Sequence, residues 1–249
     1  MKLYGLIGYP LGHSFSQKYF TEKFTTEKNE DAIFKLFPIA SLDEFPNLLA
    51  NNPSICGIAV TIPYKEKILH YLNSVSDTAL AIGAVNCIKV DARGLSGYNT
   101  DVVGFEQSLM PLLKSSHQNA LILGTGGGSK AVQFVLKKLG ISYKLVSRNP
   151  TEGDQSIAYQ SIDEGLIKSH TLIINTTPLG TAPDIHECAP LPYHFLSPAH
   201  LLYDLVYNPT ETLFLLKGKQ HGAVVKNGYE MLVLQAEENW KIWTNPAPY

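Results

Sequence analysis

The sequence predicts an α/β protein, and three observations carry that prediction. Strand-like runs rich in β-branched and aromatic residues alternate with helical patterns along all 249 residues. Several of those runs, "ALIL", "TLIIN", "LLYD" and "AVVK", are apolar on both faces, as in a parallel sheet covered on both sides. A glycine-rich turn, "LGTGGGSK", joins one of them to a helix. This length holds one large domain or two small ones, and the alternation favours two.

Each element follows in order. "KLYGLIG" reads as a strand, and "SFSQKYFTEKF" as a helix with Phe15, Tyr19 and Phe24 on one side. Ser14 and Gln17 match the S-x-x-Q capping box that starts such a helix. The hydroxyls of Ser14 and Ser16 then sit at the positive helix end, a good seat for a carboxylate. "AIFKLFPI" is a strand, "LDEFPNLLA" a short helix and "ICGIAV" a strand, with short helices around 64–72 and 76–81. This reading puts Lys65 in the first turn of a helix entered through Pro63, where the dipole disfavours a cation. Lys65 then either reaches solvent or pairs with an acid. "VNCIKV" and "RGLSGYN" form a β pair around the turn Asp91 to Gly94, and a helix runs from about Val102 to Leu113 with Asp101 at its start, an N-cap position.

After the polar connector "KSSHQN" come "ALILG", the glycine loop, a helix over 128–139 stopped by Gly140, and the strand "YKLVS". "TLIIN", "LLYDL" and "AVVK" are further strands, with the helix "TETLFLLKGK" between the last two. The closing helix "YEMLVLQAEENWKIW" carries an apolar stripe of Leu232, Ala236, Trp240 and Trp243.

The glycine loop separates phosphoryl transfer from dinucleotide chemistry. A Walker A loop needs Lys directly after its last Gly and a hydroxyl next to it. Here Ser129 precedes Lys130 and Ala131 follows, so that reading fails. The dinucleotide pattern fits Gly124, Gly126 and the small Ser129 at the third position. At the end of the next strand an NAD site places an acid for the ribose 2′-OH. This chain has Ser147, Arg148 and Asn149, with no carboxylate before Glu152. Arg148 offers a planar fork for a 2′-phosphate, so NADP is the predicted cofactor.

Composition excludes other classes. With 45% hydrophobic and 17% charged residues, a net charge of −2 and no basic run longer than Lys137-Lys138, strong nucleic-acid binding has no electrostatic footing. Cys56, Cys87 and Cys188 are far apart and read as reduced thiols. "HEC" at His186 to Cys188 lacks a second ligand cluster, so no metal is expected. The glycines and Pro10 near the start break a signal-peptide pattern, and no apolar run approaches the roughly 18 residues of a membrane span. A soluble, cytoplasmic chain is expected.

The motifs "HSFS", "VTIPYKE", "GAVNCI", "GYNTDVVGF", "LGTGGGS", "INTTPLG", "YDLVYNPTETLFL" and "NGYEMLVLQA" occur in the order found in the shikimate dehydrogenase family, which the chain resembles over nearly its whole length. The resemblance implies an N-terminal α/β substrate domain, residues 1–101 plus 228–249, and a Rossmann-type doubly wound parallel-sheet nicotinamide domain, residues 102–227, with the active site in a cleft. It implies NADPH-dependent reduction of 3-dehydroshikimate to shikimate, the fourth step of aromatic biosynthesis, by a monomer or homodimer. By similarity, Lys65 and Asp101 are the catalytic pair, and Ser14 and Ser16 hold the substrate carboxylate with Tyr207 nearby. Thr61, Asn86, Asp101 and Gln235 bind the ring hydroxyls. Gly124, Gly126, Gly127 and Gly128 follow the pyrophosphate, and Ser147 and Arg148 the adenosine phosphate. Asn175, Thr176, Leu205 and Gly228 flank the ribose and nicotinamide. Two alternatives stay open: an NAD-preferring quinate/shikimate dehydrogenase, and a catalytically silent nicotinamide-sensing module.

Overall fold

The computed structural model describes residues 1–12, 14–150 and 156–245. The chain forms two compact units, Met1–Val103 with Val233–Tyr249, and Gly104–Leu232.

The first unit contains β1 (Lys2–Ile7), α1 (Phe15–Thr26), β2 (Ala32–Phe37), α2 (Phe45–Asn51), β3 (Ile55–Val60), β4 (Ser74–Val75), α3 (Asp77–Ile82), β5 (Cys87–Asp91) and β6 (Gly94–Tyr98). The strands form a six-stranded mixed sheet in the order β2-β1-β3-β5-β6-β4. β1 pairs in parallel with β2 and β3, whereas β3–β5 and β5–β6 are antiparallel. Along β1 the side chains alternate between two cores. Leu3 and Ile7 join Phe45, Ile58, Ile68 and Val85 on one face, while Tyr4 and Leu6 join Phe20, Phe24, Phe34 and Trp243 on the other. Both faces are covered, which is why these strands read as continuous apolar runs.

α1 meets the sheet through Phe20 and Phe24, one turn apart. The expected face of Phe15, Tyr19 and Phe24 is therefore rotated: Phe15 and Tyr19 are half-buried and stack on each other with centroids 5.5 Å apart.

The long last helix, α8 (Tyr229–Thr244), starts in the second unit and returns the chain to the first. Trp243 anchors it, stacking on Tyr4 at 5.2 Å and donating its indole N–H to Ile88 O at 3.0 Å. Its ring lies so close to β3 that a Cβ on Gly57 would fall 2.3 Å from it, so only glycine fits there. The buried face of α8 is Met231, Gln235, Ala236, Asn239, Ile242 and Trp243; Leu232 and Trp240 of the expected stripe are only half-buried. Two polar residues stand where an apolar pattern was expected.

The second unit begins within α4 (Asp101–Leu109), which a 3₁₀ turn over Met110–Leu112 extends where Pro111 ends α-helical bonding. It holds β7 (Asn119–Leu123), α5 (Gly127–Lys138), β8 (Ser142–Ser147), β9 (Ile157–Ala158), α6 (Glu164–Ser169), β10 (Leu172–Asn175), β11 (Leu201–Asp204), α7 (Leu213–Gln220) and β12 (Val224–Lys226). All five pairings are parallel, in the order β12-β11-β10-β7-β8-β9. From β7 the chain winds outward through β8 and β9, then returns to β10 and winds the other way. This is the doubly wound arrangement, and its switch point lies between β7 and β10. The α/β class and the doubly wound sheet expected from the sequence are both present.

Among the described residues no helix is long and apolar enough to cross a membrane, and no group of three or more His, Cys, Asp or Glu could hold a metal ion. The three cysteines are unpaired.

Candidate active site

In the first unit a line of polar groups converges where β3, β5 and β6 meet α8. Lys65 lies in a turn, not in a helix. Tyr64 N donates to Thr61 O at 2.9 Å, closing a turn through Pro63, and only Lys67–Tyr71 forms a 3₁₀ helix. The expectation of a cation opposed by a helix dipole is thus corrected, since no α-helix starts there. What places Lys65 is its neighbourhood. Tyr64 is buried and donates to Ile39 O at 2.6 Å, while Val85 N holds the Lys65 carbonyl at 2.7 Å. The Lys65 side chain then meets Asp101, its Nζ donating to Oδ2 at 2.7 Å.

Asp101 opens α4 but does not cap it; Asn99 Oδ1 accepts the Val102 N–H at 3.4 Å. That leaves both carboxylate oxygens of Asp101 for the line, Oδ2 to Lys65 and Oδ1 to Asn86 Nδ2 at 2.8 Å. Asn86 is 3% exposed, and its Oδ1 accepts the Thr100 N–H at 2.7 Å. The Lys65 and Asp101 side chains are 21% and 14% exposed, enough for a ligand to reach them.

Thr61 follows β3 with its N–H bonded to Ile7 O, and its methyl rests where a Cβ on Gly8 would lie, so the ends of β1 and β3 are side by side. Ser14 caps α1, accepting Gln17 N–H at 3.3 Å, a role that uses its oxygen as acceptor and does not use its O–H. Ser14, Ser16 and Thr61 are half-buried. His13 of the "HSFS" motif lies outside the described residues. Gln235 is buried on α8 and belongs to the same line through Asn239. Tyr207 belongs to the second unit, half-buried beyond β11.

In the second unit the carboxyl ends of β7, β8 and β10 enclose a cavity lined by Gly124, Gly126, Ser147, Arg148, Thr176 and Thr177 among others. Gly124 has φ +104°, and a Cβ on it would also meet Thr176 Oγ1 and Thr177 Cγ2 at 2.9 Å. Gly126 caps α5, and Cβ atoms on Gly126 and Gly127 would meet nothing within 4 Å, so the backbone N–H groups of the helix start are open to a ligand. Ser129 is fully buried, donating to Gly126 O at 2.7 Å, as a small residue at the third position should be. Leu205 touches the Gly128 position and lies beneath Gly228, whose Cβ would fall 2.2 Å from Leu205 O. Arg148 is exposed at the rim, beside Asn149, whose N–H bonds Ser147 Oγ at 3.2 Å. Glu152 and Asp154, the nearest acids in sequence, lie outside the described residues. Glu187 also lines this cavity, but the residues that follow β8, Arg148 and Asn149, include no acid. A cradle of this kind, with a guanidinium after the second strand where an NAD site has a carboxylate, fits a dinucleotide carrying a 2′-phosphate.

Asn175 stands behind this wall. It is 1% exposed; its Nδ2 donates to Asp204 Oδ1 at 2.9 Å, and its Oδ1 accepts Thr177 N and Oγ1 at 3.1 and 2.6 Å. Fully buried Asp204 also accepts Val206 N at 3.0 Å and Thr212 Oγ1 at 2.6 Å. Burial pushes the Asp204 carboxyl up to about 6, against the pull of these hydrogen bonds. An acid whose folded pKa lies above its unfolded value of about 3.9 binds its proton more tightly when folded, so its contribution to stability falls as pH rises from about 4 to about 6. Asp204→Asn keeps one oxygen acceptor and removes the charge. Relative to this variant, the wild type should lose about 2 kcal/mol of unfolding free energy between pH 4.5 and 7, read by urea denaturation of both proteins. A difference independent of pH would show that Asp204 does not titrate there.

Sequence reasoning missed Thr100, Asn239, Asp204 and Thr212. The one signal was the four-residue spacing of Gln235 and Asn239, which puts both on one helical face.

Known proteins resemble this chain over nearly its whole length. Residues 6–88 match the model of the shikimate dehydrogenase substrate binding domain. A shikimate dehydrogenase (NADP(+)) of Oleidesulfovibrio alaskensis is 38% identical over 254 residues, covering 97% of this chain and 89% of that protein. Among solved structures, shikimate dehydrogenase of Aquifex aeolicus superposes with a TM-score of 0.86 at 32% identity, covering 100% of this chain and 94% of that one. The Thermus thermophilus enzyme, solved in complex with NADP(H) and shikimate, gives 0.85 at 29% identity, covering 100% and 95%.

Proposed function

Because this chain belongs to the shikimate dehydrogenase (NADP(+)) family of oxidoreductases, we propose that it interconverts 3-dehydroshikimate and shikimate, working in the reductive direction in aromatic biosynthesis, with Lys65 and Asp101 at the reacting oxygen. The observation that carries this reading is the partly exposed Lys65–Asp101 pair, braced by buried Asn86.

NADPH, when bound, supplies the hydride. As the ketone carbon gains it, the carbonyl oxygen gains negative charge, which the Lys65 ammonium stabilises and protonates to give the alcohol. Asp101 directs the ammonium and holds the neutral Lys65 in place while its partly exposed amine takes a proton back from solvent. In the oxidative direction the same amine accepts the hydroxyl proton. Both carboxylate oxygens of Asp101 are held, so the pair keeps one geometry through the cycle.

Ser14 and Ser16 seat the substrate carboxylate, assisted by Tyr207, and Thr61, Asn86 and Gln235 bind ring hydroxyls. In the second unit Gly124, Gly126, Gly127 and Gly128 would hold the pyrophosphate, Ser147 and Arg148 the 2′-phosphate, and Thr176, Leu205 and Gly228 the ribose and nicotinamide end, with Asn175 bracing that wall. These units serve as the substrate and cofactor domains, respectively.

Isotope transfer tests the reaction. Shikimate deuterated at the carbon bearing the hydroxyl to be oxidised should yield NADPH heavier by one mass unit. Unlabelled NADPH would rule out direct hydride transfer from that carbon.

A further inference from the structure

Asn239 is almost fully buried, 1% exposed, on a face of α8 whose other buried residues, Gln235 apart, are apolar. A buried amide is costly unless its donors and acceptor are met. Its Oδ1 accepts the Thr100 hydroxyl at 2.7 Å, and its Nδ2 donates to Gln235 Oε1 at 3.3 Å. It therefore joins Gln235, on α8, to the residue beside Asp101.

The directions of these bonds follow one from another. Asn86 must turn its oxygen to the Thr100 N–H (2.7 Å) and its amino group to Asp101 Oδ1 (2.8 Å); the flipped amide would oppose donor to donor and oxygen to carboxylate. The amino group's other hydrogen reaches Thr100 Oγ1 at 3.0 Å. Thr100 has one hydroxyl hydrogen, and Asn239 Oδ1 at 2.7 Å is nearer than Asn86 Oδ1 at 3.2 Å. Asn239 is thereby fixed with its oxygen to Thr100 and its amino group to Gln235. Gln235 must then turn Oε1 inward, which leaves Nε2 on the opposite side of the amide as a donor.

We propose that Asn239 is a positioning residue which, through Thr100, locks the Gln235 amide as a hydrogen-bond donor to a ring oxygen of the substrate and ties it to the orientation of Asn86 and Asp101. Asn239 touches no ligand itself. The inference rests on the substrate-binding role given to Gln235 above.

A double-mutant cycle tests it, with KM for shikimate and for NADP+ read separately in proteins whose thermal melts show them folded. Asn239→Ala should raise the shikimate KM about 3–10-fold, the equivalent of one neutral hydrogen bond, and leave the NADP+ KM unchanged. Gln235→Ala should raise it at least as much, and adding Asn239→Ala to it should change KM less than about 2-fold, because the interaction is already lost. Asn239→Asp, which still accepts from Thr100 but cannot donate to Gln235, should behave like Asn239→Ala and serves if the alanine variant does not fold. Effects that multiply in the double variant, or an unchanged shikimate KM in Asn239→Ala or Asn239→Asp, would overturn the inference alone. An unchanged shikimate KM in Gln235→Ala would overturn the role of Gln235 and the inference with it.

Discussion

Lys65→Ala should lower kcat for shikimate oxidation by roughly 10²–10⁴-fold, with a smaller change in KM. The asymmetry follows from when the ammonium matters. A ground-state ketone or alcohol takes one ordinary hydrogen bond from it, whereas the developing oxyanion takes a charge-assisted bond and then a proton. Removing the amine leaves Asp101 bonded to Asn86 alone, in a partly exposed position where water can solvate the carboxylate, so the fold should persist. Steady-state kinetics over a shikimate series, with circular dichroism to check folding, measures both parameters. A folded variant with near-normal kcat would remove Lys65 from the chemistry.

Arg148→Ala should raise the NADP+ KM about 10–100-fold and change the NAD+ KM little, the loss expected when one charge-assisted contact to a phosphate is deleted. Arg148 is exposed, so solvent screening favours the lower part of that range. The prediction depends on what surrounds it: β8 ends in Ser147, and Arg148 and Asn149 follow. None of the three is an acid that could grip an unphosphorylated ribose. Equal losses with both cofactors would mean that Arg148 supports the loop and does not read the phosphate.

The two constellations differed in how far the sequence revealed them. The cofactor cradle is local: strand, turn and helix are continuous from Asn119 to Lys138, so Gly124, Gly126 and Ser129 could be read from spacing and chemistry. The chemistry of Lys65 and Asp101 was legible from residue type and family resemblance, but the setting of Lys65 was not. Pro63 suggested a helix start, whereas the chain makes a turn pinned by Tyr64 and Val85, contacts formed only once the sheet is assembled. Thr100 and Asn239 are 139 residues apart in sequence, and only the return of α8 to the first unit brings them to 2.7 Å. Asp204 and Asn175 meet for a similar reason, as the last residues of neighbouring parallel strands in register. On α1, aromatic residues are so dense that spacing alone could not separate the core pair Phe20 and Phe24 from the half-buried stack of Phe15 and Tyr19.

The most direct test of the central claim is the initial rate of reduced-nicotinamide formation by the purified protein with shikimate and NADP+, set beside the same assay with NAD+ and with quinate. A rise in absorbance that is fastest with shikimate and NADP+ is the predicted result. A rise mainly with NAD+ or with quinate, or none in any mixture while the protein still binds NADP+, would contradict it.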